Sequence, residues 1–244
     1  VIPRASSVFL GKGSRPAQED HVLVLQEKGI FVVADGFGGP AAGAAASKLA
    51  CESVRGFLVK EAGDLEATLP FVLRSYFSLA GNVLFNALVH ANRKVQALNK
   101  GKSGQERGAA SVIASFMDGD LLALANVGIC SAWLCRDSRW VELVMPRSYG
   151  RLCDPFAHES HEHLRVPLIA IGMAEDLEPE IFEYRVRPAD WLLLQTDGIG
   201  AEVREELLAI KQRKLNPSEA VQESNRVLQQ GEYDDNASAS LIIF

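Results

Sequence analysis

Two periods of apolar residues alternate along this 244-residue chain. Near the start the runs are short: Ser7 to Leu10, His21 to Gln26 and Ile30 to Ala34 read as strands, with Glu27, Lys28 and Gly29 forming a turn. After Gly38 and Gly39 the composition shifts to alanine and other helix formers. Pro40 is placed to open a helix over Ala41 to Leu58. A second helical segment spans about Glu66 to Leu98, with Leu69, Val72, Leu73, Tyr76 and Phe77, then Leu84, Leu88, Ala91 and Val95, at helical spacing. Gly81 inside it marks a bend.

From Ala109 the pattern returns to short strands. Ala110 to Met117, Leu121 to Val127, Ser131 to Arg136 and Trp140 to Val144 are separated by tight turns, which predicts an antiparallel meander. Residues 146–167 lack periodicity and read as a flap-like surface loop. Strands near Ile181 to Val186 and Trp191 to Gln195 follow, then helices over about Glu202 to Lys211 and Pro217 to Gln230, and a final strand from Ala237 to Phe244. This order fits an α+β class in which two antiparallel sheets pack face to face with helices outside. Periodicity alone does not separate that arrangement from other α+β folds.

No linker, repeat or low-complexity segment divides the chain, so residues 1–244 read as one domain with a substantial core. The 25 basic and 31 acidic residues give a net charge of −6. Such mild acidity argues against a general nucleic-acid or membrane-surface binder. Cys51, Cys130, Cys135 and Cys153 have no paired metal-ligand spacing, and a reduced, cytoplasmic protein is the simplest reading. No apolar stretch reaches the ~18 residues of a membrane span, and no signal peptide is visible.

The candidate chemistry lies in acidic patches far apart in sequence. They are Glu19-Asp20 with Arg15 upstream, Asp35 before Gly36-Phe37-Gly38-Gly39, Asp197 in Thr196-Asp197-Gly198, and Asp235 in Asp234-Asp235-Asn236. Apolar runs abut the last three: Ile30 to Ala34, Trp191 to Leu194 and Ala237 to Phe244. Taken singly, each is an ordinary strand-ending turn, an N-cap or a solvated face. Gathered together, they would repel one another unless a cation stood between them. Oxygen-only donors suit Mg²⁺ or Mn²⁺ rather than zinc.

In this order the motifs resemble those of the metal-dependent serine/threonine protein phosphatases of the type 2C (PPM) class, with a bacterial-like, divergent pattern. Gly108-Ala109-Ala110 and Ala125-Asn126-Val127-Gly128 are similar to the class's two central strand motifs, so the resemblance covers nearly the whole chain. It implies an α/β/β/α four-layer sandwich and hydrolysis of phosphoserine or phosphothreonine in proteins by attack of a metal-bridging water. It also implies two Mg²⁺ or Mn²⁺ ions. Asp35 would bridge them, Gly36 would give a backbone carbonyl, and Asp197 and Asp235 would be terminal ligands. Glu19 and Asp20 would act directly or through water, and Arg15 would hold the substrate phosphate. The implied partners are a phosphoprotein substrate and a serine/threonine kinase counterpart, and the chain reads as a monomer.

Three positions depart from the class. Ile129 stands where an aspartate is associated with a third metal, and isoleucine offers no oxygen. Phe37 stands where animal members carry a histidine, so no side chain there protonates a leaving oxygen. The segment Met145-Pro146-Arg147-Ser148-Tyr149 matches only loosely. These departures favour an alternative: a catalytically weak or silent relative that binds a phosphoprotein or regulatory partner. A hydrolase of small phosphoesters is a third reading. His158, His161 and His163 lack the spacing of a zinc-protease helix and read as a solvated loop. Trp133 and Trp140 read as core or sheet-face residues.

Overall fold

The computed structural model describes residues 1–39, 41–61, 73–154 and 165–244. Ten strands form two five-stranded antiparallel sheets. In the first, the order is β1 (Ala5–Gly11), β10 (Ala237–Ile243), β9 (Trp191–Gln195), β6 (Ser131–Arg136), β7 (Arg139–Val144). In the second it is β2 (His21–Leu25), β3 (Ile30–Gly38), β4 (Gly108–Asp118), β5 (Leu121–Val127), β8 (Glu180–Arg185). Helices α1 (Ala42–Glu61) and α2 (Leu79–Asn99) cover the second sheet. Helices α4 (Ala201–Gln212) and α5 (Pro217–Gln230) cover the first, and α3 (Tyr149–Cys153) is a single short turn beyond β7. This is the α/β/β/α sandwich.

Three apolar layers hold it together, and strand alternation distributes residues among them. On β3, Val32 and Ala34 face α1 and α2, whereas Phe31 and Val33 face the space between the sheets. Leu192, Leu194 and Ile242 meet Phe31 and Val33 from the other sheet. Trp191, Leu193, Ala239 and Leu241 point outward to Val203, Leu207 and Leu228 of the covering helices. Asp35 continues the parity of Phe31 and Val33, so its position on β3 directs it between the sheets.

The four strands from β4 to β7 are not one meander. They are two hairpins in different sheets, and the chain changes sheet after β5. Gly128 makes that corner with φ +105°, and a Cβ there would meet the Ser111 side chain. Backbone of that kind belongs to glycine. Strand β3 also runs four residues past Ala34, paired to β4 as far as Gly38 and Gly108.

Helix α2 starts at Leu79, capped by Ser78, whose Oγ accepts from the Gly81 N–H at 3.0 Å. Gly81 therefore sits in the first turn, not at a bend. The expected part of this helix before residue 73, the expected helix start at Pro40 and the cluster from His158 to His163 lie outside the described residues. No helix among the described residues is long and apolar enough to cross a membrane.

The ends of the flap-like segment are tied down. Tyr149 N–H donates to Val166 O at 3.0 Å and Leu168 N–H to Arg147 O at 3.0 Å, while Arg147 N–H donates to Gly128 O at 2.8 Å. Trp133 and Trp140 are sheet-face residues: Arg204 lies over the Trp133 ring, and Trp140 Nε1 donates to Arg204 O at 2.7 Å.

Candidate metal and phosphate site

One end of the sandwich collects the acids. The second half of β3 brings Asp35 and Gly36, the turn after β9 brings Asp197, and the residue pair before β10 brings Asp235. With Arg15 and Glu19 from the loop before β2, they line one pocket of about 500 Å³. Two close approaches make the convergence possible. A Cβ on Gly36 would fall 2.3 Å from Gly43 O and 2.5 Å from Glu19 O, and one on Gly198 would fall 2.1 Å from Asn236 O. The missing side chain at Gly198 therefore lets the Asp197 turn lie against the Asp235-Asn236 segment.

Asp20 stands behind this pocket rather than in its lining, buried, with Thr196 Oγ1 donating to its Oδ2 at 3.1 Å. Thr196 Oγ1 also accepts from Ser238 N–H at 3.0 Å, which fastens the end of β9 to β10. Oδ1 of Asp20 is buried without a hydrogen-bond donor among the described residues. Burial pushes the Asp20 carboxyl up to about 7, against the lowering effect of the Ser238 and Thr196 hydroxyls. Removal from bulk water raises Asp35 well above the carboxylate range, and the neighbouring Asp197, Asp20 and Asp235 add to it. Glu19 is raised by burial, with Arg15 opposing.

Buried carboxyls such as Asp20 and Asp35, held up by desolvation and by neighbouring carboxylates, have the chemistry of a cation site. The donors are hard oxygens, and the orphaned Asp20 oxygen adds another. In the present arrangement no group of three or more His, Cys, Asp or Glu among the described residues is disposed to hold a metal. Two of the carboxylates face arginines instead. Arg15 donates to Asp235 Oδ2 at 2.6 Å, and Arg165 Nε lies 4.0 Å from Asp197 Oδ2. By its chemistry this oxygen-only donor set fits Mg²⁺ or Mn²⁺.

Arg165 is a pocket residue that the sequence did not single out. It lines the pocket with Val166 and Pro167, as do Phe37 and Ile129. A lone arginine in an aperiodic stretch carries no spacing signal. Asn236 proves to be the anchor of the N-terminal loop. Its Oδ1 accepts from Glu19 N–H at 2.8 Å, and its Nδ2 donates to Lys12 O at 2.8 Å and Ala17 O at 2.9 Å. Ile129 is buried in the pocket wall.

No family model and no curated protein matches the sequence. Solved structures do. The serine/threonine phosphatase PstP/Ppp of Mycobacterium tuberculosis is 19% identical, with 98% of each chain covered and a TM-score of 0.77. The catalytic domain of PstP is also known in complex with two manganese ions. MsPP, a PPM Ser-Thr phosphatase of Mycobacterium smegmatis solved with cacodylate, is 20% identical over 100% of both chains, TM-score 0.77. PppA of Pseudomonas aeruginosa, a regulatory component of its T6SS, is 22% identical over 98% of this chain and 96% of its own, TM-score 0.76. The chain has the fold of the PPM-type serine/threonine phosphatases.

Proposed function

We propose that this chain, working as a single domain, is a divalent-metal-dependent phosphatase acting on phosphoserine or phosphothreonine in proteins. The observation that carries the reading is the meeting of Asp35, Asp197 and Asp235 in one pocket with Arg15 at its edge. Two Mg²⁺ or Mn²⁺ ions, when bound, would supply charge neutralisation and an activated water. The two manganese ions of PstP support that count. In this chain Asp35, Asp197, Asp235 and the Gly36 carbonyl would hold the ions. Glu19 contributes from the pocket edge and Asp20 from behind Asp35. The opposing kinase and the cytoplasm are the setting this activity fits.

The test is hydrolysis of p-nitrophenyl phosphate and a phosphothreonine peptide with Mn²⁺, with Mg²⁺ and with EDTA. Turnover that requires added metal is expected, and full turnover after exhaustive chelation would exclude the two-metal reading.

Arg15 is half-exposed, so its fork can leave Asp235 for a substrate phosphate. Arg15→Ala should raise KM by roughly tenfold or more, since a charge-assisted contact is worth about 1.5–3 kcal/mol. A normal KM with weakened Mn²⁺ affinity would make Arg15 a partner of Asp235 instead.

Ile129 supports a second reading, a silent phosphoprotein-binding relative, because an apolar wall replaces a hard ligand. Ile129→Asp adds a carboxylate to an already crowded site. The variant should melt lower without metal and recover at millimolar Mn²⁺, with higher activity. A lower melting temperature with no recovery would mean that Ile129 is simply a packing residue.

A further inference from the structure

Strands β9 and β10 have the acids at one end. Their opposite ends, about 20 Å away by strand rise, border a second pocket of about 500 Å³. Its floor is apolar, formed by Trp191, Leu215, Ile243 and Phe244. Its rim is basic. Arg4, Arg136, Arg187, Lys211 and Lys214 face two side-chain carboxylates, Asp137 and Asp190, a local side-chain charge of +3 on a chain of −6.

Two of those cations are already engaged. Arg136 grips Asp190 through Nε at 3.0 Å and a terminal nitrogen at 2.6 Å, and Lys211 Nζ donates to Ala189 O. The charged groups of Arg4, Arg187 and Lys214 have no partner among the described residues, although all three are exposed at the pocket rim.

Backbone geometry marks the same place. Of the five non-glycine residues with left-handed φ among the described residues, Asp137, Ser138, Ala189 and Lys214 line this pocket. The first two make the β6–β7 turn, whose twist calls for such geometry. Lys214 follows the C-cap of α4 with φ +53°, where glycine is the usual residue, and keeps a cation on the rim there.

We propose that this distal pocket binds a phosphoryl group, with the organic part of the ligand on the apolar floor. Guanidinium forks match the oxygens of a phosphate, and a net +3 suits a dianion. The phosphoryl group can belong to a free nucleotide or to a phosphorylated residue of a protein.

The test is calorimetric titration of the intact protein in low-salt buffer with EDTA, using pyrophosphate, ADP and a phosphothreonine peptide. Adenosine, the unphosphorylated peptide and polyglutamate are the controls. Saturable binding of a phosphorylated probe is expected. The double variant R187A/K214A should weaken it roughly tenfold, and R15A should leave the component lost in that variant unchanged. Tighter ADP identifies a free ligand as the source, and a tighter phosphopeptide identifies a protein-borne one. The two substituted side chains are exposed, so an unchanged melting temperature should accompany the loss. The proposal fails if none of the three probes saturates, if only R15A weakens binding, or if polyglutamate binds equally well.

Discussion

Asp35→Asn is expected to abolish metal-dependent hydrolysis and, at the same time, to raise the melting temperature of the metal-free protein. Both effects follow from one position. Asp35 continues the face of β3 that looks between the sheets, and Asp20, Asp197 and Asp235 all oppose its ionisation. An amide of the same shape removes a carboxyl whose ionisation the fold opposes and whose charge the metals would need. Metal chemistry is worth several kcal/mol of transition-state stabilisation, so at 1.36 kcal/mol per decade the loss should be at least about 10³-fold. Mn²⁺ at a hundred times its Kd should stabilise the native protein by about 2.7 kcal/mol. For a chain of this size that is roughly 5–10 °C in Tm, and the variant should lack it.

The pH dependence has a definite sign. Asp20 titrates near 7 folded against an ordinary 3.8, so the folded, metal-free protein binds more protons than the unfolded chain between those values. Its stability is therefore greatest below that window and falls as pH rises through it. Removing the second raised carboxyl, Asp35, should make the fall shallower. Melting curves with EDTA across this window check the point, and a variant that melts lower than the parent at every pH would refute the account.

Much of the candidate site was legible because Asp35, Asp197 and Asp235 stand beside apolar strands. Ile30 to Ala34 and Trp191 to Leu194 are too apolar to lie anywhere but in a core, so the polar residues that follow come out near one end of it, Asp35 while still paired on β3. Sheet membership was not legible. β5 and β6 are joined by a corner at Gly128, and a glycine between two strands looks the same whether the chain pairs back or crosses to another sheet. Nor does local sequence place β1 beside β10, a pairing between opposite ends of the chain. The arginines that face the acids differ in the same way. Arg15 comes with an acidic pair nearby, whereas Arg165 lies near Asp197 beside residues 166–168, which pair with residues 147–149 from a distant part of the chain.

Asn236→Ala should have the second-largest effect, although its side chain is not a metal ligand in this account. The loop with Arg15, Glu19 and Asp20 has no regular structure of its own to hold it. Asn236 binds it at three points: the Glu19 N–H, Lys12 O and Ala17 O. Alanine leaves those groups without their partner, at a cost of about 2 kcal/mol, or roughly 4–8 °C in Tm. The catalytic loss should be larger than the stability loss suggests, because Glu19 and Arg15 would drift while Asp35 and Asp197 stayed fixed. A displacement of about 1 Å costs on the order of 10²-fold in rate. Asn236→Asp discriminates positioning from bulk stability, since it keeps the acceptor for Glu19 N–H and loses both donors. It should recover part of the Tm yet still show a raised KM and a weakened apparent Mn²⁺ affinity. Unchanged kinetics in Asn236→Ala, measured below its melting range, would show that the loop holds its place without this residue.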